Sequence, residues 1–327
     1  MANYNVLLFE PVHQCGQDHL TQNGCNILWA EGFEPDQIIS SIKEADAILA
    51  RARGIMDGPA MDCAPRLKVI GRHGIGVDNI DVEAATERGI HVVNTPGAPV
   101  EAVAEYVAMS LIALPRKIGQ ADPATRAGDW ELRNRVHAPE LLGKTLGIVG
   151  FGRIGRRIAE ICSLGFRMNV IYSDAYPAPE EEEKRLNVQR VEFNDLLKNA
   201  DYISLNVPLL ESTHHLINAE ALSRMQSHAI LVNCSRGPVV DETALATALK
   251  SNQIGGAIID VFEQEPPASD NPLFELDNVL LSPHYSGHST ESTQKMAMVA
   301  ADIVRVLNGQ RPDFPVNAPS EPRQVLS

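Results

Sequence analysis

Short apolar runs alternate along almost the whole chain with polar stretches that carry apolar residues at helical intervals. In the first hundred residues the runs lie at 5–9, 26–29, 47–49, 67–70 and 91–93. Strands alternating with helices in this way predict a parallel sheet with helices on both faces. The pattern breaks at 94–99, Asn-Thr-Pro-Gly-Ala-Pro, which reads as a domain boundary. A helix is predicted from 101 to 117, where Val103, Val107, Ala108, Leu111 and Ile112 form one apolar stripe and Pro115 disturbs the last turn. Such a helix serves either a core or a subunit contact. The stretch 120–139 is polar around Trp130 and suggests a surface or interface segment. A second series of apolar runs follows at 144–150, 168–172, 202–207, 229–233, 256–259 and 278–281, with helices predicted at 242–250 and 290–307. The last helix is long enough to pack back on the first half of the chain.

The second series opens with a more specific signal. The strand from Lys144 runs into Gly150-Phe-Gly152-Arg153-Ile154-Gly155, a helical pattern follows to Gly165, and the next strand ends at Asp174. Strand, glycine turn, helix, strand and acid, in that order, are what a dinucleotide-binding unit requires. Gly150 permits the tight turn, Gly152 lets the backbone approach a pyrophosphate, and Gly155 lets helix and strand pack closely. The N–H groups and positive dipole end of the helix face the phosphates. Asp174 suits the ribose hydroxyls and repels a 2′-phosphate, so the expected cofactor is NAD rather than NADP. The first half has no such motif after its first strand. Its informative stretch is the loop Gly71-Arg-His-Gly74-Ile75-Gly76, at an edge where bare N–H groups can hold a carboxylate.

Composition narrows the partners. The 327 residues allow two domains of ordinary size, and a formal charge of −14 argues against nucleic acid and anionic membranes. An anionic substrate must then be met by a local cluster of arginines or N–H groups. The five cysteines show no CxxC pair and no metal spacing, so neither disulfides nor a metal is expected. The N-terminus lacks a basic region before its short apolar run, which points to a cytoplasmic setting.

Arg236, Asp260 and His284 each follow a strand of the second series, on one edge of one parallel sheet, so they converge beside the expected cofactor. Arg236 offers a planar fork for a carboxylate or a developing alkoxide. His284 is suited to shuttle a proton, and Glu265, if it reaches the imidazole, favours the protonated ring and fixes its tautomer. His288 competes for the histidine role and Tyr285 offers a hydroxyl.

Together these stretches resemble the D-isomer-specific 2-hydroxyacid dehydrogenases, and the phosphoglycerate dehydrogenase branch in particular. The similarity is carried by GRHGIGVDNID (71–81), NTPG with VAE (94–105), GIVGFGRIG (147–155), NCSRGPVVDE (233–242), DVFEQEPP (260–267) and SPH (282–284). The resemblance implies a Rossmann-type NAD-binding domain, 101–287, inserted into a flavodoxin-like substrate domain made of 1–100 and 288–327. It assigns Arg236 to the substrate, Glu265 to the Glu/His pair and His284 to acid/base work. It places Gly150, Gly152, Arg153, Ile154, Gly155, Asp174, Val207, Pro208, Cys234, Ser235, Asp260 and Gly287 around NAD. Arg51 falls where that branch holds a phosphate, and Gly74, Ile75 and Gly76 where the family holds the carboxylate. The chain stops before the regulatory domain of the longer phosphoglycerate dehydrogenases, Ala52 stands where a hydroxyl residue often assists the phosphate, and Pro283-His-Tyr-Ser-Gly is similar to the loop of formate dehydrogenases. The expectation is therefore an NAD-dependent dehydrogenase of a small D-2-hydroxy acid, 3-phosphoglycerate being one candidate. A homodimer through the 101–117 helix and the 120–140 segment is expected. The competing readings are an NAD-binding corepressor or scaffold with little turnover, and a formate or phosphite dehydrogenase.

Overall fold

Residues 4–323 are described by a computed structural model, in which the chain forms two compact units. One takes the chain up to Pro99 and again from His288; the other is Val100–Gly287. The first unit begins β1 (Tyr4–Leu8), α1 (Gln14–Gln22), β2 (Cys25–Trp29), α2 (Pro35–Ile42), β3 (Ala47–Ala50), α3 (Gly58–Asp62), β4 (Val69–Arg72), α4 (Val82–Glu87) and β5 (His91–Val93). Its five strands pair in parallel in the order β2-β1-β3-β4-β5. The central strands are buried on both faces, which is why they read as continuous apolar runs rather than alternating ones.

The second unit starts with α5 (Val100–Ala113) and α6 (Ile118–Arg126). It continues with β6 (Thr145–Val149), α7 (Arg153–Glu160), β7 (Asn169–Ser173), α8 (Glu180–Leu186), β8 (Val188–Arg190), α9 (Phe193–Asn199) and β9 (Tyr202–Leu205). Then come α10 (Ala219–Arg224), β10 (Ile230–Asn233), α11 (Glu242–Lys250), β11 (Gly256–Ile259) and β12 (Val279–Leu281). Seven parallel strands run β12-β11-β10-β9-β6-β7-β8. The order reverses at β6, between β7 and β9, which is the switch point where doubly wound sheets bind ligands.

Three of the expected helices differ in extent. The helix expected over 101–117 ends at Ala113, and α5 buries Val103, Ala104, Val107 and Leu111 in the core of its own unit. The helix expected over 290–307 is two, α12 (Thr290–Ala297) and α13 (Val299–Leu307), because Met298 at ψ 4° leaves the helical region. Periodicity cannot register that break, since the apolar stripe continues across it. α13 does return to the first unit, packing on β3, β4 and β5. The helix after the glycine motif ends its α-helical part at Glu160 and finishes as a π-helical turn, Ile161–Gly165.

Candidate active site

The glycine turn sits at the end of β6. Gly150 has φ 89°, a left-handed conformation that disfavours any side chain, and a Cβ there would lie 2.5 Å from the carbonyl oxygen of Asn206. Val207, just past β9, closes the same side at 2.8 Å, while Pro208 follows it in the loop. The N-cap of α7 is Gly152, whose missing Cβ would face open space within 4 Å. A phosphate can therefore approach the backbone and the free N–H groups of Arg153 and Ile154 in the first turn. Gly155 packs under the Gly150 carbonyl. These residues fit a dinucleotide.

Asp174 ends β7 and is tied to the turn: one carboxylate oxygen accepts the Phe151 N–H at 2.6 Å and the other accepts the Tyr176 N–H at 2.8 Å. The acid thus shapes the turn. Sequence reasoning missed Arg190 on β8, whose guanidinium donates to the Asp174 carbonyl at 2.9 Å. Replacing Asp174 by Ala should raise the NADPH-to-NADH ratio of kcat/KM by about tenfold or more, because the repelling charge leaves while Arg190 stays. Initial rates with both nucleotides check this, and an unchanged ratio contradicts it. NADH itself should bind more weakly, since the Phe151 N–H loses its acceptor.

The reactive groups lie on three neighbouring strand ends. Arg236 follows β10, is half-buried, and donates from Nη1 to the Ser235 carbonyl at 2.6 Å. Gly237 brings that loop against the next one: a Cβ there would lie 1.8 Å from the Phe262 carbonyl oxygen, so only glycine lets Arg236 stand beside the loop that carries Glu265. Ser235 hydrogen-bonds back to the Asn233 side chain, which also donates to the Arg236 carbonyl. Glu265 accepts from the Phe262 N–H at 3.1 Å with one oxygen and pairs with His284 Nδ1 at 2.7 Å with the other. Partial burial pushes its carboxyl up, but the hydrogen bond and charge of His284, the Phe262 N–H and the charge of Arg236 outweigh this and hold it below the usual carboxylate range. Nδ1 of His284 is thereby committed to the carboxylate, and Nε2 is left for a substrate. Of the two competing histidines, it is His284 that meets Glu265. His288 begins the return to the first unit and acts electrostatically on His73.

Cys234 is half-buried beside this site; desolvation, with the Asp260 charge, pushes its thiol well above the ordinary value. Asp260 is fully buried at the end of β11 and gives its carboxylate to Ser282 Oγ and to the N–H groups of Tyr285 and Ser286. It organises the loop from Ser282 to Gly287, a role its spacing did not indicate.

In the first unit, the Gly74 N–H, expected to be bare, donates to Thr95 Oγ1 at 3.1 Å. The N–H groups of Ile75 and Gly76 carry no hydrogen bond among the described residues. Arg51 donates to the Pro11 carbonyl at 2.9 Å. Its charge, with that of Arg72, bears on buried His73, whose imidazole burial and these two cations pull down to about 3. His73 is therefore neutral in the fold but protonated in the unfolded chain below about 6.5. Between those values the unfolded chain binds more protons, so this contribution to stability is full above pH 6.5 and is lost as pH falls toward 3. Urea midpoints should drop between pH 7 and pH 5 and drop less in His73→Asn; an identical pH dependence in the variant contradicts this.

The dinucleotide turn and the Glu265–His284 pair on one parallel sheet coincide with a direct match in sequence: residues 108–286 fit the NAD-binding domain of the D-isomer specific 2-hydroxyacid dehydrogenases. The chain belongs to this family. It is 43% identical to the D-3-phosphoglycerate dehydrogenase of Methanocaldococcus jannaschii over 98% of its own length and 61% of that protein's. It is 42% identical to the glyoxylate reductase of Korarchaeum cryptofilum over 89% of both chains. A solved Thermus thermophilus protein superposes with a TM-score of 0.89 at 33% identity, covering 96% of this chain and all of that one. The chain thus spans about three-fifths of the phosphoglycerate dehydrogenase it resembles. As a member of the family it carries an NAD-binding Rossmann domain. Among the described residues no helix is long and apolar enough to cross a membrane.

Proposed function

We propose that this protein reduces a small 2-oxo acid to the D-2-hydroxy acid with NADH, and catalyses the reverse oxidation. The observation that carries the reading is the 2.7 Å contact between Glu265 and His284 Nδ1, placed with Arg236 on adjacent strand ends of the dinucleotide unit. Bound NAD(H) supplies or accepts the hydride. Gly150, Gly152, Arg153, Ile154, Gly155 and Asp174 hold its phosphates and adenosine ribose, and Val207, Pro208, Cys234, Ser235 and Gly287 line the remainder; Asp260, expected among them, is fully buried and acts beneath them through the loop it holds. Arg236 binds the substrate carboxylate and polarises the C2 oxygen, and His284 Nε2 donates the proton that the resulting alkoxide needs. Arg51 and the N–H groups of Ile75 and Gly76 are proposed as anion-binding groups of the first unit.

A carboxylate beside the histidine favours hydroxy-acid chemistry over formate oxidation, which yields carbon dioxide and needs no general base. Glyoxylate stands first among substrates, because the glyoxylate reductase shares 89% of its length with this chain; phosphohydroxypyruvate is the second. NADH oxidation against a panel of 2-oxo acids, with formate and NAD in parallel, tests the reading. Turnover of a 2-oxo acid supports it, and NADH binding without any turnover would favour a corepressor or scaffold.

We also propose a homodimer. The helix α6 and the turn Trp130–Asn134 bury none of their residues, Trp130 being 63% exposed, and a cleft of about 210 Å³ lined by Leu111, Pro115, Leu141, Leu142 and Phe166 lies in the same unit. A segment that buries nothing within its own chain finds its packing on a second copy. Sedimentation should give twice the monomer mass, and Trp130→Glu should shift it toward monomer; a wild-type monomer at micromolar concentration contradicts the proposal.

A further inference from the structure

The loop that carries His284 is held from below by one fully buried residue. His284 stands at φ 50°, in the left-handed region that few non-glycine residues occupy. Its N–H donates to the Asp260 carbonyl at 2.7 Å, and the next two N–H groups, of Tyr285 and Ser286, donate to the two Asp260 carboxylate oxygens at 3.0 Å each. Three consecutive amides therefore hang on Asp260. A fourth donor to the carboxylate is the Ser282 hydroxyl, at 2.5 Å. With its proton committed there, Ser282 can only accept in its 2.7 Å contact with the Tyr106 hydroxyl, so the tyrosine is the donor. Desolvation raises the Tyr106 phenol, which keeps it protonated for that role. The chain of bonds runs Tyr106 to Ser282 to Asp260, from helix α5 to the end of β11. The Tyr106 ring also meets Tyr285 edge-on, with centroids 5.6 Å apart.

We propose that Tyr106 is a positioning residue: its hydroxyl, acting through Ser282 and Asp260, holds the His284 loop in the left-handed turn that presents the imidazole to Glu265. Its effect on catalysis rests on the activity proposed above; its effect on the loop does not. Tyr106→Phe keeps the ring packing on Tyr285 and removes only the donor, leaving the Ser282 oxygen unsatisfied in a buried place.

Amide hydrogen exchange on the protein without nucleotide reads the loop directly. In Tyr106→Phe the Tyr285 and Ser286 amides should exchange about tenfold faster, while those of β6 keep the wild-type rate. Turnover of the 2-oxo acid should fall about tenfold in kcat with the NADH dissociation constant unchanged. Ser282→Ala should give the same signature, and the double variant should be no worse than Ser282→Ala alone, because the two groups act in one chain. Faster loop exchange in a protein that reduces no 2-oxo acid sustains the positioning role and removes the proposed activity. Wild-type loop exchange in both single variants overturns the positioning role, as does a uniform acceleration across the whole unit.

Discussion

His284→Ala is expected to lower 2-oxo acid reduction by about a hundredfold or more while NADH still binds with near wild-type affinity. The imidazole pairs with the Glu265 carboxylate through Nδ1, which leaves Nε2 for the proposed proton donation. The dinucleotide turn lies on β6 and α7, away from the histidine loop, so its removal leaves the cofactor's phosphate site intact. Because the proton is donated during reduction, the rate should fall as pH rises. The Glu265 carboxylate, held below its ordinary range, stays ionised throughout the neutral region and fixes the ring through Nδ1. Glu265→Gln removes that charge but can still hydrogen-bond to Nδ1, so kcat should fall by about tenfold, less than in His284→Ala. Rates across pH 5–9 with saturating NADH check both variants. Full activity in His284→Ala, with loss instead in His288→Ala, would reassign the proton donor.

The second large effect belongs to Arg236. Arg236→Lys keeps the charge and loses the planar fork, and kcat/KM should drop by about a hundredfold or more, with NADH binding unchanged. The loop is rigidly placed, since Gly237 lies against the Phe262 carbonyl and Asn233 grips the Arg236 carbonyl. A lysine cannot recover by shifting its backbone. Steady-state kinetics with nucleotide titration by fluorescence separate the two terms, and a near-normal kcat/KM would move the substrate carboxylate elsewhere.

Much of this was legible in the chain because parallel strands buried on both faces leave uninterrupted apolar runs, as in Ala47–Ala50 and Ile230–Asn233. The glycine turn was legible because Gly150 and Gly155 answer to backbone constraints that few other motifs share. The pairing of Glu265 with His284 was inferred from strand ends and family resemblance, and the geometry joins them. What escaped was of another kind. The strand β8 is three residues long and exposed at two of them, so it leaves no apolar run. Tyr106 and Ser282 looked like ordinary helix and loop residues, since their partnership spans 176 positions and no local pattern encodes it. The Gly74 amide looked bare because nothing in a glycine-rich loop signals that Thr95, twenty-one residues on, would claim it.

The most direct test of the account follows the hydride. NADH deuterated at C4 of the nicotinamide is mixed with the purified protein and a series of 2-oxo acids, and the products are resolved by chirality and mass. Deuterium is expected at C2 of the 2-hydroxy acid in a single configuration, as monodeuterated glycolate from glyoxylate and as the D isomer from larger 2-oxo acids, in the wild type and at a sharply reduced rate in His284→Ala. Transfer to no 2-oxo acid, together with passage of label from deuterated formate to NAD, would contradict it.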